Sequence, residues 1–211
     1  MFKAVIFDMN GVIINDEHFH QQGWKWYSRK NNIELTEEDL KKMTGRVASE
    51  NLRYVHKRDL SPEEEKKAIH ERIAYVMKIF KPHLRIMEGL GKFLEELYKN
   101  HIPMALATSA APEYFDFIMG GLNIRKYFKV VITSENVTKG KPDPEIYLKT
   151  ANKLRVDPKD CIVFEDSISG IKAGQAAGMK VVAIATTHST KELEIADKVI
   201  VSFKDLSIED L

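Results

Sequence analysis

Six short apolar runs rich in β-branched residues punctuate the chain: Lys3–Phe7, Pro103–Thr108, Lys129–Thr133, Cys161–Glu165, Lys180–Ala185 and Lys198–Val201. Most are continuously apolar rather than alternating, the pattern of parallel strands covered on both faces. From Gly89 onward these runs alternate with helical stretches, which predicts a doubly wound, parallel-sheet (Rossmann-like) α/β core. Between Glu17 and about His83 the strand signals stop. There "HFHQQGWKWYSRKNN", "TEEDLKKM", "ASENLRYVHKR" and "SPEEEKKAIHERIAYVMKIF" read as four helices. Thr36 and Ser61 are the expected N-caps, each followed by acids in the first turn. The helical block interrupts the α/β rhythm after its first strand. Residues 1–15 and 84–211 are therefore assigned to the core and 16–83 to an inserted all-helical domain. The two junctions, near Ile14–Glu17 and Lys81–Ile86, are expected side by side as a hinge.

Composition narrows the functional classes. The chain has 211 residues, with 32 Lys and Arg against 31 Asp and Glu. A formal charge of +1 leaves no global field to draw in nucleic acid or an acidic membrane. No apolar run approaches the roughly 20 residues of a membrane helix, and no basic-then-apolar leader precedes the first strand. The single cysteine, Cys161, lies in the strand-like "CIVF" and makes no internal disulfide. A reducing, cytoplasmic setting is expected. The runs "EEEKK" and "TEEDLKK" read as solvated helix faces.

Candidate chemistry gathers at the carboxyl ends of the strands, where open α/β sheets place their ligands. The stretch "KAVIFDMNG" brings Asp8 to the tip of a buried strand, just before the turn at Gly11. A carboxylate so placed can attack phosphorus and form an aspartyl-phosphate. Phosphoryl transfer further needs a hard cation, a fixed positive charge and hydrogen-bond donors around the phosphoryl oxygens. "VFEDSISG" offers Glu165 and Asp166 as oxygen ligands for Mg²⁺. "LATSA" offers the Thr108 hydroxyl, with Ser109 and the amides that follow, and "TKGKPDPEIY" offers Lys141 as the cation.

The set "FDMNGV", "ATSA", "GKPDPEIY" and "VFEDSISGIKAGQAAGM" resembles the four motifs of the haloacid dehalogenase-like superfamily. The helical insertion resembles the small cap of its β-phosphoglucomutase-like and phosphoglycolate phosphatase-like members. The resemblance implies Asp8 as nucleophile, Thr108 as phosphoryl ligand and Lys141 as the neutralising cation that orients Asp8. It also implies Mg²⁺ held by Asp8, the backbone carbonyl of Asn10 and Asp166, with Glu165 close by or bound through water. The substrate implied is a small phosphate ester, taken by a monomer.

One residue departs from the family pattern. Two positions after the nucleophile the family carries an aspartate that protonates the leaving alcohol and then deprotonates the attacking water; this chain has Asn10. Its amide preserves shape and backbone carbonyl but carries no proton, so a general acid–base factor of roughly 10²–10⁴ is expected to be missing. Asn10 reads either as a substitution introduced to hold a substrate or as the natural residue. Asn10–Gly11 is also a deamidation-prone dipeptide, which would return some aspartate.

Specificity is expected to come from the cap. His20 holds a place where related caps have a site-facing histidine, and it reads equally as a helix-packing residue. Arg46, in the "GRVASE" loop beside Gly45, is a candidate for an anionic substrate group or a solvated side chain. Trp24 and Trp26 read as cap core. Ala110, Ala111 and Pro112 stand where family mutases carry polar grips, which favours a phosphatase over a sugar-phosphate mutase. Asp166 speaks against metal-free dehalogenation. A natural phosphometabolite-binding pseudoenzyme remains the reading of another class. "ATTHSTKELEIAD" reads as a loop and helix start below the last strands, with His188 structural.

Overall fold

The structure, a computed structural model, describes residues 2–44, 46–204 and 206–211. Gly45 lies outside the described residues. The chain divides into two compact units, residues 1–15 with 84–211 and residues 16–83.

The first unit is built on six parallel strands: β1 (Ala4–Phe7), β2 (Met104–Ala107), β3 (Phe128–Ile132), β4 (Cys161–Glu165), β5 (Lys180–Ile184) and β6 (Lys198–Ile200). Their spatial order is β3-β2-β1-β4-β5-β6. The chain thus winds outward from β1 in both directions, and β1 is the switch point at which such sheets open a ligand crevice. Successive side chains of a strand point to opposite faces. Ala4, Ile6, Cys161 and Val163 pack on one face with Ala105, Ala107, Ile146 and Tyr147. Phe7 and Phe164 turn to the other, where their rings stack at 5.1 Å and meet Phe93 and Phe203. Each such fully buried side chain contributes roughly 1.5–3 kcal/mol of transfer free energy.

The strands observed match the six apolar runs to within a residue or two at each end. The chain leaves this unit after Asn15 and re-enters at Leu84, and the Met87 amide donates to the Ile13 carbonyl at 2.8 Å.

The second unit holds α1 (Glu17–Lys30), α2 (Glu37–Met43), α3 (Ala48–His56) and α4 (Pro62–Phe80). Its core is Trp24, Tyr27, Leu40, Met43, Leu52, Val55 and Ala68. Thr36 and Ser61 cap α2 and α4 through reciprocal boxes with Asp39 and Glu64, as their spacing predicts. Trp24 lies in the core and Trp26 packs against it, stacked on Tyr75 at 4.7 Å. Among the described residues no helix is long and apolar enough to cross a membrane.

Candidate active site

Strand register sets the first contacts. Ile6 pairs with Val163 and Phe7 with Phe164, so Asp8 emerges beside Glu165, on the face that carries Ile6 and Val163. The Asp8 amide still donates to the Phe164 carbonyl, at 3.0 Å, which fixes its backbone at the strand tip. The same face is covered by α5 (Glu145–Leu154), and the loop before this helix delivers Lys141. Three hydrogen bonds to one Glu145 oxygen fasten that loop: the Thr138 amide at 3.0 Å, the Thr138 hydroxyl at 2.9 Å and the Lys139 amide at 2.8 Å.

Lys141 Nζ donates to Asp8 Oδ1 at 2.6 Å and to Glu165 Oε1 at 2.5 Å, with its side chain 8% exposed. The Tyr147 hydroxyl donates to the same Glu165 oxygen at 2.6 Å. Glu165 Oε2 accepts from the Asp166 amide, the Ser167 amide and the Ser167 hydroxyl at 3.0, 3.2 and 3.0 Å. Gly170 makes room for that carboxylate, since a Cβ there would stand 1.8 Å from Glu165 Oε1. Both oxygens of Glu165 are therefore engaged by protein donors.

Gly11 has φ +70°, and a Cβ on it would lie 1.8 Å from Asp166 Oδ2. Only glycine lets this carboxylate pass so close to the turn. Thr108 is fully buried; its amide donates to the Ile132 carbonyl at 2.9 Å, and its hydroxyl accepts from the Ala110 amide at 3.1 Å. Ser109 is exposed beside it, and Asn10 is half-buried with its backbone bridged to Ile14.

The electrostatics are those of a site with surplus negative charge. Burial raises the Asp8 carboxyl to about 7 against the pull of Lys141, and Glu165 adds to the rise. Burial would also raise Glu165, but the charge and hydrogen bond of Lys141, with the Tyr147 hydroxyl, outweigh it and hold Glu165 below its ordinary value. Asp166 is held well above the carboxylate range by burial and by Glu165 and Asp8. Burial would lower Lys141, yet Asp8 and Glu165 keep its ammonium well above the ordinary lysine value. Only with all three carboxyls ionised, the state a bound cation would favour, do three buried carboxylates face one buried ammonium, a formal charge of −2.

That charge and its all-oxygen donors fit a hard divalent ion. Among the described residues no group of three or more His, Cys, Asp or Glu is spaced as a metal cage. Mg²⁺ needs none, because it binds through one or two carboxylates and keeps water and phosphate as its other ligands.

Three participants lie outside the candidates that the sequence motifs single out. Tyr147 sits in the motif helix, and its sign was an aromatic hydroxyl in an otherwise buried position, where a partner is required. Thr187 donates to Asp166 Oδ2, and Thr186 donates to the Gly11 carbonyl at 2.5 Å. The stretch expected as a loop and helix start below the strands instead forms turns that begin at the carboxyl end of β5. The signal was available: "VVAIATT" ends an apolar run in hydroxyls, as "MALATS" does.

In the helical unit His20 does not stand alone. Its Nε2 lies 3.1 Å from Asp16 Oδ2, and its Nδ1 lies 3.1 Å from Arg72 Nη1. Arg72 is buried, with its guanidinium 4.5 Å over the Trp24 ring. Both imidazole nitrogens are thus engaged within this unit. Arg46 is exposed, its guanidinium 5.6 Å from the Tyr54 ring centre.

A doubly wound sheet that gathers aspartates, a lysine and a threonine at its strand tips defines an enzyme of phosphate-ester chemistry. The family model of haloacid dehalogenase-like hydrolases matches residues 5–184. The chain is 31% identical over 207 residues to a validoxylamine A 7'-phosphate phosphatase of Streptomyces hygroscopicus, covering 98% of this chain and 95% of that one. It is 30% identical over 216 residues to the β-phosphoglucomutase of Bacillus subtilis, covering 98% and 92%. The crystal structure of a family IA hydrolase from Entamoeba histolytica superposes with a TM-score of 0.92 at 30% identity, covering 99% of this chain and 96% of that one. The chain belongs to the haloacid dehalogenase-like hydrolases.

Proposed function

We propose that the protein is a Mg²⁺-dependent phosphatase of small phosphomonoesters, of the sugar-phosphate class, working through an aspartyl-phosphate on Asp8. The observation that carries this is the single ammonium of Lys141 hydrogen-bonded to both Asp8 and Glu165 at neighbouring strand tips. Lys141 orients the nucleophile through one oxygen and supplies a permanent positive charge for the transferred phosphoryl group. Glu165 is the anchor of Lys141 and not a direct metal ligand. Asp8 and Asp166, with the backbone carbonyl of Asn10, would hold Mg²⁺. When bound there, the ion favours the ionised nucleophile and offsets charge on the phosphoryl oxygens.

The Asp8 carboxylate attacks phosphorus in line, the ester oxygen leaves as the alcohol, and water then cleaves the acyl phosphate. Thr108 offers its hydroxyl, and the Ser109 segment its amides, to the phosphoryl oxygens. Each step needs a proton moved, and the Asn10 amide moves none, so the leaving alkoxide takes its proton from water and the attacking water gives its own up to solvent. The chain therefore binds its substrate and turns it over slowly. The helical unit, 16–83, serves as the cap that selects the substrate.

Asn10→Asp tests this. With Mg²⁺ and p-nitrophenyl phosphate, or a panel of sugar phosphates, it should raise kcat by about 10²–10⁴ and release inorganic phosphate. Asp8→Asn in that background should abolish the gain. No gain on restoring the aspartate would refute the catalytic reading, and isomer formation without phosphate release would reassign the chain to mutase chemistry.

A further inference from the structure

The geometry points to Thr187, on the loop that leaves β5, as a positioning residue for the divalent-cation site, aiming Asp166 through a neutral hydroxyl. This rests on the reading of Asp8 and Asp166 as cation ligands.

The loop is fastened at both ends. On the strand side the Ala185 amide donates to the Ile200 carbonyl at 2.9 Å, extending the β5–β6 ladder by one residue. The Thr186 amide then turns back onto the Ile184 carbonyl at 2.9 Å. On the far side Ser189 and Glu192 close on each other: the Ser189 amide and hydroxyl donate to Glu192 Oε2 at 2.9 and 2.6 Å. Leu193, fully buried, anchors the segment to the core. Between these ties Thr186 grips the Gly11 carbonyl and Thr187 grips Asp166 Oδ2.

Asp166 Oδ2 is consequently boxed by two groups, the bare Gly11 backbone on one side and the Thr187 hydroxyl on the other. With Oδ2 taken by Thr187, Oδ1 is the oxygen left to meet a cation. The chemistry of the donor is as telling as its place. A lysine or arginine gripping Asp166 would cancel one of the charges that attract a cation. A hydroxyl fixes the carboxyl group and adds no positive charge to compete with a cation. Partners of this kind set the orientation of metal ligands, and their loss commonly lowers metal affinity by about 10–100-fold.

The test is Mn²⁺ binding followed by electron paramagnetic resonance on the full chain, which reads affinity without turnover. Thr187→Val should weaken binding by about 10–100-fold, and Thr187→Ser should stay within about threefold of the parent. Should the valine variant lose its cooperative thermal melt, Thr187→Ala replaces it, with the same expected loss. Parent-like affinity in the folded Val or Ala variant overturns the inference, as does an equal loss in the serine variant. Asp166→Asn separates the two readings. If Asp166→Asn abolishes binding while Thr187→Val preserves it, only the role of Thr187 fails. If Asp166→Asn binds Mn²⁺ like the parent, the cation site itself is wrongly assigned.

Discussion

Consider Lys141→Met. Methionine keeps an unbranched apolar stem of similar length, so packing around the side chain changes little. What is lost is the ammonium that lies 2.6 Å from Asp8 and 2.5 Å from Glu165 in a nearly solvent-free position. Removing one partner of a buried ion pair leaves uncompensated charge and costs about 3–5 kcal/mol. Here the remaining carboxylates can escape part of that by taking up a proton. In the parent Asp8 already stands near 7, with Lys141 the main force pulling it down, and Glu165 is held low by the same lysine. Without Lys141 both rise.

The sign of the pH dependence follows. A carboxyl whose folded pKa exceeds its unfolded value holds a proton that the unfolded chain releases, so stability falls as pH climbs between the two values. In the parent, Asp8 contributes this decline only up to about 7. In the variant the decline continues above 7 for Asp8, and Glu165 joins it above its ordinary range. The gap between parent and variant therefore widens with pH, by about 1.4 kcal/mol for each unit across which the variant keeps one extra proton. Urea denaturation in EDTA at pH 5.5 and 8.5 measures it. The expected loss is about 3–5 kcal/mol at pH 8.5 and clearly less at pH 5.5. For a chain of this size the higher figure corresponds to a Tm drop of about 6–20 °C. Adding Asp8→Asn to the variant should recover stability at pH 8.5, because one of the stranded charges is gone. A loss under about 1 kcal/mol at pH 8.5, or an equal loss at both pH values, would refute the reasoning.

Two further outcomes test the surrounding structure. Tyr147→Phe removes one of the five hydrogen bonds accepted by Glu165 without stranding a donor, and should lower stability by about 1–3 kcal/mol in the same assay; a change within about 0.3 kcal/mol would mean the hydroxyl contributes nothing. In the helical unit, Asp39 and Glu64 are both lowered to about 2 by hydrogen bonds, Asp39 from Thr36 and Tyr54, Glu64 from Arg58 and Ser61. Their stabilising effect is complete above the ordinary carboxylate range and is lost as pH falls through about 2, so Glu64→Gln should flatten the acid limb of the helical circular-dichroism signal.

The sequence made one half of the site legible and hid the other, and the division has a physical basis. Asp8, Thr108, Glu165 and Asp166 each end a run of apolar, strand-forming residues, so local pattern alone carries them to one edge of a parallel sheet. Lys141 comes with a Pro-rich turn and an adjoining helix, again a local signal. The groups that hold these residues are not local to them. Tyr147 reaches Glu165 across 18 residues, and Thr187 reaches Asp166 across 21. Those meetings depend on which face of a strand a side chain takes and on how a loop folds back. Arg72 hides for a related reason, since it occupies the apolar stripe of α4 between Ala68 and Val76, where a hydrophobic residue is the default. A common rule unites the three: each is a polar group set within, or just after, a run of apolar positions. Such a residue must find a partner when buried. Read as a question about where its hydrogen bonds go, each becomes a pointer to its partner: Tyr147 to Glu165, Thr187 to Asp166 and Arg72 to His20. The same logic bears on Asn10. On the function proposed above, an amide there would keep the geometry and leave only the proton unprovided, so the contacts among Asp8, Lys141, Glu165 and Asp166 would not require an acid at residue 10.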